Sequence, residues 1–485
     1  MMPVLALPLA APMLAAAALL LIRPRWAHRV TGFGVTLGVL ALGAALLGAT
    51  SEGILVEQVA GWPGGIAIPL VADTLSALLL LVSAVLVLVC TAFAAATGAD
   101  EHRHFWPLVL LLSAGVYGAY LTGDLFNLFV CIEIMLLPSY VLLTLQGRPE
   151  QLAAARIYVP VNLLASTLLI TGVALVYGAA GTVNLGELAG QARTSPSVAI
   201  AAGVVLLALA VKTAVVPVHG WLPRAYPHAH PAVLALFSGL LTKVGLYAAW
   251  RVYAVVFDGD PGYRWLFVAI AVLTMVVGVL GAVGQQNMRE ILSFHMVSQI
   301  GYLVLGIALF TPIGVTAAVF YLVQYVLVKA ALLLVAGAVA HSYGTDRLDQ
   351  LGGLARREPL LAVAFIGAGL SLAGLPPFSG FVAKFALVVA AVTEGQYLGA
   401  AVAVAVSLLT LTSMIKIWLG AFWGRAPEHV LDRPRLRFGV VAPALTLTVL
   451  SLVLGVGAQA LFPWAEQAAT DLLNVTGYAQ AVSNG

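Results

Sequence analysis

The chain of 485 residues contains five lysines, Lys212, Lys243, Lys329, Lys384 and Lys416, and each falls inside a hydrophobic stretch. The segments between those stretches carry their positive charge as arginine. An ammonium group in hydrocarbon is unfavourable by a few kcal/mol or more, and it persists where it meets a counter-ion, water or an exchangeable proton. Five such groups, with an acid at Glu133 near the middle of another apolar stretch, point to charge movement across a membrane. A genome that replaces surface lysine by arginine would account for the loops, but not for the lysines kept in the spans.

Glu133 lies in LFNLFVCIEIMLLPSYVLL. It reads either as a neutral core carboxyl or as the partner of a buried lysine, most simply Lys212. In the paired reading each group governs the other's proton, because removing one strands its partner in a low dielectric. Lys212 precedes Pro217 by five residues, just before a break. Lys243 is flanked by Ser238, Gly239 and Gly245, which leave room for water or for close helix approach. Lys329 follows Gln324 and Tyr325 by about one turn. Lys384 follows the interruption Leu375-Pro376-Pro377. These four lysines and Glu133 are the candidate path.

Auxiliary positions are His295, His219, His228, Lys416 and Asp124. His295, near Ser293, Ser298 and Gln299, suits a proton relay or a hydrogen bond between helices. His219, His228 and His230 lie in HGWLPRAYPHAHP, where proton uptake or capping is favoured over metal ligation. Lys416, beside Trp418 and Trp423, also fits a side chain snorkelling to the interface. Asp124 opens a span and reads as an N-cap. Cys90 and Cys131 are in apolar spans with no CxxC or Cys/His cluster, so no disulfide, metal site or cofactor is expected.

The elements that must position these residues are membrane helices. The chain is 62% hydrophobic and 9% charged, with mean hydropathy +1.03, against about 25% charged in soluble proteins. The first apolar run lacks a positive n-region, and Arg23, Arg25 and Arg29 follow it, so it reads as a first span and not a leader. Apolar runs predict an all-α polytopic membrane protein with fourteen helices, near 4–22, 30–50, 72–97, 106–121, 124–145, 157–178, 197–218, 231–256, 264–284, 290–310, 313–341, 359–393, 397–423 and 437–463. Residues 51–71, with Gly-Trp-Pro-Gly-Gly, read as a short external hairpin. Fifteen arginines fall after odd-numbered spans, and three (Arg193, Arg251 and Arg264) after even-numbered ones. That bias places the odd loops in the cytoplasm of a bacterial cell and both termini on the outer face.

Lys212 and Lys384 are 172 residues apart, Lys243 and Lys416 173. The near-equal spacing predicts two five-helix units, inverted relative to each other, with helices 7 and 12 broken. The chain then divides into 1–105 (helices 1–3 and the hairpin), 106–256 (first repeat, a proton half-channel), 264–423 (second repeat) and 424–485 (helix 14 and a tail).

The stretch Lys212-Thr-Ala-Val-Val-Pro-Val-His-Gly-Trp-Leu-Pro-Arg-Ala, followed by Ser238…Lys243-Val-Gly-Leu-Tyr and by Leu375-Pro-Pro-Phe-Ser-Gly-Phe-Val-Ala-Lys384, resembles the antiporter-like membrane subunits shared by respiratory complex I, membrane-bound hydrogenases and Mrp-type antiporters. Within that family, Gly123-Asp-Leu-Phe-Asn-Leu-Phe-Val-Cys-Ile-Glu133 with Ser139-Tyr-Val-Leu-Leu is most similar to the D-type Mrp subunits. The resemblance implies that Glu133, Lys212, Lys243 and Lys384 hold the family's central proton-path positions and that Lys329 bridges the two halves. It also implies a non-enzymatic subunit of a multisubunit Na+ or K+/proton antiporter, with other hydrophobic subunits as partners and no nucleic acid. The rival it implies is a proton-pumping membrane subunit of a redox complex, an NADH dehydrogenase or hydrogenase arm.

Overall fold

A computed structural model of the chain describes residues 4–62 and 67–484. Helices dominate because hydrocarbon offers no partner to backbone N–H and C=O groups, which must therefore bond within their own segment. Among the described residues, eleven helices are long and apolar enough to cross a membrane. Four shorter apolar helices accompany them, Leu7–Leu21, Phe105–Leu121, Pro359–Ala373 and Ser379–Thr393, the last two being halves of the single stretch 359–393. The protein is a multi-pass membrane protein.

The long helix Pro312–Tyr343 forms the axis, and its apolar window is wholly buried. Pro231–Phe257, Met288–Leu309 and Thr74–Thr97 surround it. Peripheral helices turn Leu164, Ile200, Leu273 and Leu408 outward, the surface expected of a body solvated by lipid.

Several boundaries differ from the sequence reading. The sixth helix begins at Pro149, not 157, because its first turn is polar and lies beyond the apolar run. The seventh stretch stops at Thr213, where Ala214 turns left-handed at φ +63°, and the short helix Leu222–Ala225 follows. The eighth is divided into Pro231–Gly239 and Leu241–Phe257, immediately after the Ser238-Gly239 pair. The last, read as 437–463, ends at Val456. Two further helices, Ala458–Leu473 and Val475–Asn484, take the place of the tail. The first of these buries Leu461, Ala465, Ala468 and Leu472 at helical spacing between Glu466, Gln467 and Asp471, so it is amphipathic and too short to register as a span.

Strands β1 (Leu55–Gln58) and β2 (Pro69–Ala72) pair antiparallel, with Leu55 opposite Ala72. The turn signal Pro63–Gly65 lies outside the described residues. The Leu5 amide donates to Glu57 at 2.9 Å, and Gln58 Nε2 donates to the Val482 carbonyl at 3.2 Å. Both ends of the described chain therefore meet the hairpin on one face.

Candidate functional site

Lys212 occupies the last turn of helix Pro196–Thr213 and is buried. Its Nζ donates to Ser166 Oγ at 3.1 Å, and Ser166 donates in turn to Glu133 Oε1. Glu133 and Lys212 thus meet through a hydroxyl, and the direct ion pair expected from sequence is not among the ion pairs of the described residues. The physical reason is the helix Pro149–Ala180, which packs against both the Glu133 helix (Leu125–Leu143) and the Lys212 helix and holds them apart.

Lys212 is also the basic residue in the last turn of its helix, the end that carries the negative pole of the backbone dipole. Carbonyls freed by the break find other donors: Trp221 Nε1 reaches the Val211 carbonyl at 3.0 Å. The Val216 amide uses Thr274 Oγ1 at 3.1 Å. A Cβ on Gly245 would stand 2.9 Å from Thr213 Oγ1, so glycine is what lets the Lys243 helix lie against the end of the Lys212 helix.

Lys243 sits in the first turn after the division at Leu240. Its Nζ donates to Thr242 Oγ1 at 2.9 Å and stands 4.3 Å from the centre of the Tyr325 ring, a cation–π contact. Tyr325 is one turn before Lys329 on the axial helix. Lys329 Nζ and both ring nitrogens of His295 are buried with no hydrogen-bond partner among the described residues. Ser238, Ser293 and Tyr325 present unpartnered hydroxyls as well, and Gln299 and Gln324 one amide atom each. A packed core does not collect unpartnered polar atoms at this density, because each is unfavourable by about 1–3 kcal/mol.

Lys384 belongs to helix Ser379–Thr393, after the second break. Its Nζ donates to the Ala373 carbonyl at 3.3 Å and to Ser407 Oγ at 3.1 Å, and lies 4.8 Å from the Tyr302 ring centre. Ser407 also donates to the Ala373 carbonyl, at 2.5 Å. Gly374 has φ +87°, and a Cβ there would stand 2.8 Å from Lys384 Cδ, so the lysine's path across the break requires glycine.

The other candidates stand apart. Lys416 donates to the carbonyls of Val283 (3.0 Å) and Gln285 (2.6 Å) and so caps the end of helix Arg264–Gly284. Asp124 accepts from the Asn127 amide at 2.7 Å as the N-cap of the Glu133 helix. His219 is half-buried in the first break, His228 is exposed, and His230 caps helix Pro231–Gly239, so the three do not converge. Among the described residues, no group of three or more His, Cys, Asp or Glu side chains is placed to hold a metal ion. Ser166, Ser407, Thr242 and Tyr302 were not singled out by sequence. A lone serine in an apolar helix carries no signal until the helix opposite it is known.

The chain matches the family model of the transmembrane NADH:quinone oxidoreductase/Mrp antiporter proteins over residues 122–410. It is 41% identical over 461 residues to the D-type Na(+)/H(+) antiporter subunit of Alkalihalophilus pseudofirmus, covering 93% of each chain. Its fold is similar to a chain of the Mrp complex from Dietzia sp. DQ12-45-1b, with TM-score 0.96, 48% identity and 99% of each chain covered. It is also similar to a chain of the membrane-bound sulfane sulfur reductase, an archaeal respiratory complex, with TM-score 0.89, 26% identity and 99% of each covered.

Proposed function

The chain belongs to the NADH:quinone oxidoreductase/Mrp antiporter membrane family, and on that premise we propose that it is the proton-carrying subunit of a multisubunit Na+ or K+/proton antiporter, a secondary transporter and not an enzyme. The observation that carries this reading is the line of buried amines Lys212, Lys243, Lys329 and Lys384, joined to Glu133 through Ser166 and lined by unpartnered polar atoms. Water in that lining would connect groups that do not touch directly. Each lysine passes a proton by cycling between NH3+ and NH2. The two breaks serve as the half-channels, with 106–256 and 264–423 as the two inverted units.

On the face opposite the hairpin, a cavity of about 450 Å³ is lined in part by Arg148, His230, Arg289 and His341. The arginine bias assigns this face to the cytoplasm of a bacterial plasma membrane, which puts the hairpin and both ends outside. Proton flow down its gradient drives the cation outward, with partner subunits completing the complex. The redox-pump alternative is weakened by the similarities, since identity is 48% to the Mrp chain and 26% to the respiratory one.

The test uses inverted vesicles holding the whole complex, with a pH-sensitive dye reporting after respiration has acidified the lumen. Sodium or potassium should restore the signal in wild type and not in Lys212→Ala. No recovery with either ion in assembled wild type would defeat the antiporter reading.

A further inference from the structure

A second polar cluster lies between the lysine line and the hairpin face. Lys243, Tyr247 and Arg251 recur every four residues on helix Leu241–Phe257, so they share one side of it, and all three are buried. Arg251 stands about 12 Å beyond Lys243 along the helix axis. Its Nη2 donates to Asp73 Oδ2 at 2.5 Å and to the Tyr247 hydroxyl at 3.2 Å, and that hydroxyl donates to the Tyr120 carbonyl at 2.7 Å. Among the ion pairs of the described residues, this is the one with both side chains closed to solvent, at 4% and 1% exposure. Tyr247 lies one turn nearer Lys243 than Arg251 does, and the Tyr120 ring packs against it at 5.2 Å between centres; Arg251 Nη1 and the Tyr120 hydroxyl are buried without partners among the described residues.

The C-terminal helices cover the pair. The Tyr478 ring centre is 5.1 Å from the Arg251 guanidinium, and Tyr478 is itself buried. Asp471 accepts from the Thr74 amide at 3.0 Å, next to Asp73, and the bond from Gln58 to Val482 pins the end of the segment to the hairpin.

A buried ion pair is a poor device for stability, since apolar side chains of the same shape do as well or better. It does alter what can pass. A guanidinium keeps its charge at any working pH and repels protons and metal cations in a narrow passage. We infer that the Asp73–Arg251 pair, held under Tyr478, is a gate that closes the Lys243 site toward the hairpin face and keeps its proton from escaping there. This rests on the proposed role of Lys243 as a proton carrier.

The test places a reporter thiol beneath the pair, Tyr120→Cys, in the whole complex with Cys90→Ala and Cys131→Ala in this chain. A membrane-impermeant thiol reagent is applied from each side in turn, and labelling is read on this subunit by mass. Labelling from the hairpin side should be slow in this background. It should become about tenfold faster when Tyr478→Ala or Arg251→Ala is added, in proportion to the open population. The exchange Asp73→Arg with Arg251→Asp should return it to slow. Tyr478→Ala keeps both charges paired, so it informs even if Arg251→Ala does not assemble. Unchanged labelling in Tyr478→Ala and the assembled arginine variant, or acceleration only from the opposite side, overturns the gate. A second reading follows the decay of a proton gradient without added sodium or potassium, which should quicken with the labelling. Labelling gained without faster decay upholds the gate and counts against Lys243 as a proton carrier, so the two readings fail separately.

Discussion

At one break the lysine stands before the interruption, in the last turn of helix Pro196–Thr213; at the other it stands after it, in the second turn of helix Ser379–Thr393. Lys212 has an acid behind a serine and the negative end of its own helix beside it. Among the described residues Lys384 has no acid in contact, and it reaches back across the gap to the Ala373 carbonyl, sharing it with Ser407. A shift of 172 or 173 residues from Glu133 lands on Leu305 or Gly306, and from Ser166 on Ala338 or Val339. On the proposed division into two units, the second carries the amine and the break without an acid or a serine at the matching positions. A charge held by dipoles and an aromatic ring is easier to discharge than one held by a carboxylate, so on the proposed path Lys212 is suited to retention and Lys384 to release.

That contrast sets an order of expected effects. Lys212→Ala or Glu133→Ala should lower cation-driven proton transport about a hundredfold or more, the scale of a lost proton-transfer group, with assembly on native gels intact. Full activity in either variant would remove the counter-charged end from the mechanism. Ser166→Ala should cost about tenfold, since a hydrogen bond to a charged group contributes about 1.5–3 kcal/mol, and Ser166→Thr should recover most of it. Ser407→Ala should cost only about threefold, because Lys384 keeps the Ala373 carbonyl and the net loss falls at the low end of the about 0.5–1.5 kcal/mol that one hydrogen bond contributes. Equal losses in the two serine variants, measured in the same vesicles, would erase the distinction between the ends. Lys416→Met should leave transport per assembled complex near wild type and lower the subunit's stability by about 1 kcal/mol, the scale of a helix-end cation. A loss of transport as large as that of Lys212→Ala would put Lys416 back on the path.

Much of this was legible because hydrocarbon imposes few choices. Apolar runs, Pro-Pro and the placement of lysine mark the spans, the second break and the buried amines by the same physics that builds them. What stayed hidden depends on which helix faces which. The Glu133–Lys212 relation reads from sequence as an ion pair, and only the intervening helix shows that Ser166 must join them. Lys416 has the same residue type in an apolar stretch, and differs from the other four in being half-buried and in finding two carbonyls at the end of a neighbouring helix. The division at Leu240 carries no proline, so the Ser238-Gly239 pair gave the only hint. The C-terminal helices escaped notice because a search for spans passes over short amphipathic segments.

The order of synthesis gives those helices a further meaning. Asp73 meets Arg251 across 178 residues, and the segment carrying Asp471 and Tyr478 leaves the ribosome more than 200 residues after that arginine. Until then the proposed gate lacks the cover that Tyr478 supplies. On that proposal, docking of the last two helices is expected to act as a maturation step. A chain stopped before Ala458 should be more toxic to a cell that depends on its proton gradient than one not made at all.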